Sequence, residues 1–126
     1  MKLQPDRIDT QSITGYGPGW VAVLGEKLQH SVVVSSTGER FDWQCTSFAD
    51  LTPAHFERLL GLPVEIVLFG SGQQLRFAPP AWLNPLLRQR IGVETMDTAA
   101  ACRTYNILAG EGRKVAVALL LEPSAG

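Results

Sequence analysis

Residues 91–112 read Ile-Gly-Val-Glu-Thr-Met-Asp-Thr-Ala-Ala-Ala-Cys-Arg-Thr-Tyr-Asn-Ile-Leu-Ala-Gly-Glu-Gly, and they constrain the fold more than any other stretch. A short strand, a helix start and a helix stop follow one another within them. Asp97 and Thr98 each carry a short side-chain oxygen that can accept from the free N–H groups of a first helical turn. Gly110 is placed to adopt the left-handed conformation that ends many helices. The interval from cap to stop predicts one helix of roughly three turns. Such a helix has to cover strands, so the rest of the chain must supply a sheet.

Residues 64–69 are apolar apart from Glu65, and residues 115–121 are apolar throughout, the pattern of a strand buried on both faces. Residues 93–95 give a shorter strand. Thr52-Pro53 reads as an N-cap with proline at the first helical position, and Phe56, Leu59 and Leu60 follow at helical spacing. Trp82, Leu83, Leu86 and Leu87 also have helical spacing, but Pro85 among them lacks a backbone N–H. A turn over residues 80–83 is expected there, then a helix capped by Asn84 and ended by Gly92. Strand, helix, strand, helix, strand implies crossover connections. Upstream, Thr14-Gly15-Tyr16-Gly17-Pro18-Gly19 reads as a turn that brings backbone close to a neighbour. Residues 20–24, 27–35 and 40–44 read as strands. The expected fold is α/β, with a mixed, largely parallel sheet, helices packed on it and an N-terminal β-rich hairpin unit. Residues 1–12 are expected to form a flexible arm, residues 13–121 one domain, and residues 122–126 a tail.

Several functional classes are disfavoured by composition. Net charge is −1 and no basic run occurs, so the phosphate-neutralising patch of a nucleic-acid binder is not expected. The longest apolar run, residues 115–121, is too short for a membrane span. The opening Met-Lys-Leu-Gln-Pro-Asp-Arg has no apolar signal core and carries an acid, which predicts neither a secretory nor a mitochondrial leader. A cytoplasmic location is therefore expected. Cys45 and Cys102 lie far apart, as free thiols in a reducing compartment would.

The candidate site is a crevice. Gly70-Ser71-Gly72 follows a strand, but Leu75 stands where a dinucleotide loop carries its third glycine, and no Gly-Lys-Ser/Thr occurs. A turn with unusual backbone angles is the favoured reading. If the strands before this loop and before Asp97-Thr98 are parallel neighbours, the loop and the helix start share one sheet edge, where α/β ligands gather. Plain N-capping explains Asp97 and Thr98 equally well. Arg103 and Asn106 are three apart on one helix face, fit either for a partner or ligand or for a tie to a nearby loop. Ala101, Tyr105 and Leu108 form the face expected on the sheet. Cys102 lies a turn inside the helix, so a packed thiol is favoured over a nucleophile. His30 and His55 have no carboxylate or cysteine spacing that suggests a triad or a metal site.

Taken together, Ile13-Thr14-Gly15-Tyr16, the run from Val64 to Gly72, Pro79-Pro80 and the run from Gly92 to Asn106 resemble a known family. It is a family of small domains of unknown function that includes the mitochondrial respiratory complex I assembly factor three and an adipogenesis-associated animal protein. The resemblance covers residues 13–121 and implies a three-layer α/β domain around a mixed sheet. It carries no enzyme activity or cofactor, and it implies a role through protein contacts in a bacterial member. The expected function is a non-catalytic protein-interaction domain, in its sharpest form an assembly factor for a respiratory or membrane complex. Other proteins are the expected partners, self-association is compatible with the apolar content, and no membrane insertion is expected. The alternative is a small-molecule binder or enzyme using the crevice formed by Gly70, Ser71, Gly72, Asp97 and Thr98, with Arg103 and Asn106 near it.

Overall fold

The computed structural model describes residues 11–123. A five-stranded mixed sheet forms its centre, in the order β5-β4-β8-β6-β7. These strands are β4 (Val32–Ser35), β5 (Arg40–Asp42), β6 (Ile66–Gly70), β7 (Gly92–Met96) and β8 (Val115–Leu119). The β8-β6-β7 half is parallel and the β5-β4-β8 half antiparallel. A second, antiparallel sheet holds β1 (Ile13–Gly17), β2 (Trp20–Val23) and β3 (Glu26–Leu28).

The apolar run of β8 follows from its central place in the order, because both its faces are covered. Val115, Val117 and Leu119 point into one core with Tyr105, Cys102 and Ala101 of α3 (Thr98–Gly110) and with Val21 and Val23 of β2. Ala116, Ala118 and Leu120 point into the other core. Small residues stand there because the opposing side chains are large: Trp43, Phe56 and Phe69 meet edge to face, with ring centroids 5.3–5.9 Å apart. Helices α1 (Pro53–Glu57) and α2 (Pro80–Arg88) close that side. The three layers are thus α1 and α2, the five-stranded sheet, and α3 with the small sheet.

Some local expectations are corrected. Residues 13–17 form strand β1, not part of a turn, and its glycines seat a ring. A Cβ on Gly17 would lie 2.9 Å from Cε2 of the Trp20 indole, and one on Gly15 would lie 3.4 Å from the same ring. The expected strand over residues 27–35 is two strands in different sheets, because the exposed Gln29 and His30 carry the chain from one sheet to the other. Pro85 lies inside a continuous α2 rather than near its start. In a nine-residue helix its missing N–H removes one backbone bond, while fully buried Leu86 anchors the same turn.

Both longer helices end in Schellman motifs, but not at the expected glycines. Gly92 begins β7, and Arg90 takes the left-handed position with φ 64°. Ile91 N–H then donates to Leu86 O at 3.0 Å and Arg90 N–H to Leu87 O at 2.9 Å. Gly110 is still helical, and Gly112 with φ 83° ends α3, donating to Ala109 O at 3.0 Å. An arginine in this conformation is strained. Arg90→Gly should therefore raise stability by about 0.5–1 kcal/mol after glycine's own entropy cost, measurable in urea melts.

Gln11 and Glu122, assigned by sequence to the arm and the tail, are both bonded into the body. Gln11 Nε2 donates to Glu39 O at 2.8 Å, and Glu122 pairs with Arg76 at 2.8 Å. The rest of those assignments, residues 1–10 and 124–126, lies outside the described residues.

Candidate functional site

Parallel pairing of β6 with β7 brings their C-terminal ends to one edge, Gly70 opposite Met96. There the loop from Gly70 to Gly72 and the helix start at Asp97 and Thr98 do meet. Gly70 has to be small: a Cβ would lie 3.1 Å from Thr98 Cα and 3.2 Å from Ala101 Cβ. The next two residues lace the loop to the helix. Ser71 N–H donates to Met96 O at 2.9 Å, Gly72 N–H donates to Thr98 Oγ1 at 2.9 Å, and Thr98 N–H donates to Gly72 O at 2.9 Å. The Thr98 hydroxyl donates onward to Leu120 O at 2.8 Å. Ser71 Oγ, meanwhile, donates to Gln74 O at 2.7 Å and accepts from Arg76 N–H at 3.0 Å. The backbone donors of Ser71, Gly72 and Thr98, which a ligand in this crevice would need, are committed to the protein itself.

Asp97 is a true N-cap, accepting from Ala100 N–H at 2.8 Å. Asp97→Ala should cost about 1 kcal/mol, and Asp97→Asn much less, because asparagine caps as well as aspartate. Chemical denaturation of the two variants checks the order.

Arg103 and Asn106 point away from that loop toward strand β1, and Asn106 holds it. Asn106 Oδ1 accepts from Ile13 N–H at 2.9 Å and Nδ2 donates to Ile13 O at 2.7 Å, so this one amide stands in for a neighbouring strand. Arg103 donates to the Tyr16 hydroxyl at 3.1 Å on the exposed side of α3. The hydrogen bond to Tyr16 is the main cause that raises the guanidinium pKa.

Beyond the laced loop lies an open cleft of about 340 Å3, formed by residues 16–19, 72–73, 97–99 and 120–122. Pro18, Ala99, Leu120 and Leu121 give it mostly apolar walls, and Asp97 and Glu122 are its carboxylates. Burial pushes the Glu122 carboxyl up, but hydrogen bonds from the Arg76 guanidinium and Gln73 N–H outweigh it and hold it below its usual value. Sequence reasoning placed Gly72, Asp97 and Thr98 at this edge and missed the walls. The turn expected over residues 14–19 supplies one wall from residues 16–19 only, and Glu122 falls in the expected tail. No local pattern links positions so far apart.

The nucleophile and metal candidates are accounted for by packing. Burial pushes the Cys102 thiol up to about 12 and the Cys45 thiol up to about 11. Near the ordinary thiol pKa of about 8.5, neither should react with a disulfide reagent in the native protein, and both should react in denaturant. His55 Nδ1 accepts from Thr52 N–H at 3.1 Å at the start of α1, which leaves Nε2 to donate to Gln44 O at 3.0 Å. Among the described residues no cluster of three metal-ligating side chains occurs. Nor is any helix there long and apolar enough to cross a membrane.

A family model described as "Protein of unknown function (DUF498/DUF598)" matches residues 13–120. The chain belongs to this family. Within reach of it, the chain is 34% identical over 113 residues to an uncharacterized protein of Rhodobacter capsulatus, covering 90% of this chain and 86% of that one. It is 33% identical over 120 residues to the human NADH dehydrogenase [ubiquinone] 1 alpha subcomplex assembly factor 3, covering 92% of this chain. The chain spans only 61% of that human protein's length. Among solved structures, a Bordetella parapertussis protein superimposes with a TM-score of 0.84 at 38% identity, covering 90% of this chain and 97% of that one. The family and the three-layer fold agree with the resemblance drawn from the motifs.

Proposed function

We propose that this protein is a non-catalytic protein-interaction domain that assists the assembly of a multisubunit respiratory complex from the cytoplasmic side. The observation that carries this reading is the similarity to the assembly factor, 33% identity over 120 aligned residues that span 92% of this chain. Side-chain chemistry at the candidate edge supports it. Asp97 caps a helix, Thr98 and Gly72 bond each other, and Glu122 pairs with Arg76, so these groups serve structure and leave a mostly apolar cleft open. Open apolar clefts suit protein surfaces whose partners cover them. Residues 13–121 are taken as the domain that does this.

Affinity capture from native cells at native abundance, under gentle extraction, tests the reading. It predicts a reproducible set of partners that includes subunits of one complex. A chain recovered reproducibly alone would overturn it. Arg103→Ala refines the test: with its side chain exposed, stability should stay unchanged in denaturant melts.

A further inference from the structure

We propose that the cleft between the β1–β2 turn and the start of α3 docks a lysine side chain of a partner protein, with Asp97 as its counter-charge. This inference rests on the protein-interaction reading above. The cleft combines two features that together match one side chain. Its walls are the apolar surfaces of Pro18, Ala99, Leu120 and Leu121, and its backbone polar groups at Gly72 and Leu120 are bonded within the protein. Its two carboxylates differ. Glu122 is matched by Arg76 at 2.8 Å, whereas Asp97 has no cation within ion-pair distance among the described residues. One Asp97 oxygen accepts from Ala100 N–H, and the other has no hydrogen-bond partner there. Arg103 feels the Asp97 charge but is held on the Tyr16 hydroxyl at 3.1 Å. What the cleft lacks is an apolar stem ending in a cation, and lysine carries a four-carbon stem and a compact ammonium. An anionic group would meet Asp97 and Glu122 with no free cation lining the cleft, and a purely apolar one would leave the Asp97 oxygen unpaired.

The test is an NMR titration of the 15N-labelled full chain with N-acetyl-lysine methylamide, and with its norleucine and glutamate counterparts as controls. Saturable shifts are expected at the Gly17, Gly19, Gly72 and Ala99 amides with the lysine probe. Binding should be about tenfold weaker with norleucine, which lacks the charge. Asp97→Asn should lose about the same factor while keeping its cap and its melting behaviour. Ala99→Leu, which fills the cleft with a good helix former, should abolish the shifts. Equal binding of lysine and norleucine, stronger binding of glutamate, an unaffected Asp97→Asn variant, or shifts elsewhere would each overturn the proposal. A native partner retained in full by both variants overturns this site and leaves the protein-interaction reading standing. A chain that binds the lysine probe here, yet captures no protein, supports the site and overturns that reading instead.

Discussion

Replacing Asn106 by alanine is expected to destabilise the fold by roughly 2–4 kcal/mol. The amide of Asn106 makes both backbone bonds of Ile13, at 2.9 and 2.7 Å, and Ile13 is only 5% exposed. Deleting it strands one donor and one acceptor at the seam between α3 and the small sheet, and each unsatisfied group costs on the order of 1–3 kcal/mol. Asn106→Asp is the sharper control. It keeps an acceptor for Ile13 N–H but sets a second oxygen against Ile13 O, so it should rescue little at neutral pH. Urea melts with an unchanged slope would give the value directly. A loss below about 0.5 kcal/mol, the range of ordinary surface changes, would mean that the seam is held by apolar packing alone.

Trp43→Ala is expected to cost about 3–5 kcal/mol, the range for deleting a fully buried large aromatic side chain. Trp43 is 0% exposed, meets Phe56 and Phe69 edge to face, and donates from Nε1 to His55 O at 3.0 Å. Its loss opens a cavity between α1 and the central sheet, leaves the His55 carbonyl without this donor, and removes ring contacts. Trp43→Phe should recover part of this loss, because it restores ring area without the N–H. Equal destabilisation by the two variants would assign the cost to the hydrogen bond instead of to packing.

What the sequence made legible depended on distance along the chain. Asp97 as a cap, proline at the start of α1 and the doubly buried β8 were visible because each signal is local or periodic. The shared edge of the 70–72 loop and the Asp97 helix start was also legible, since crossover connections leave few places for them. The bonds that decide the site were not. Asn106 meets Ile13 across 93 positions, and Arg76 meets Glu122 across 46. Helix ends failed for a different reason. Gly110 and Gly92 are the residues a left-handed stop prefers, yet the structure uses Gly112 and, against propensity, Arg90. Leu86 is buried and Leu108 half-buried in the cores, the carbonyls of both accept the closing bonds, and the residue that follows each cap adopts the left-handed angle.

The proposed assembly role is tested most directly by separating native respiratory complexes from cells that lack this protein. The proposal predicts less of one mature respiratory complex and an accumulated partial assembly of it, with both defects reversed when the full chain is restored. A normal amount of mature complex, with no partial assembly, would contradict it.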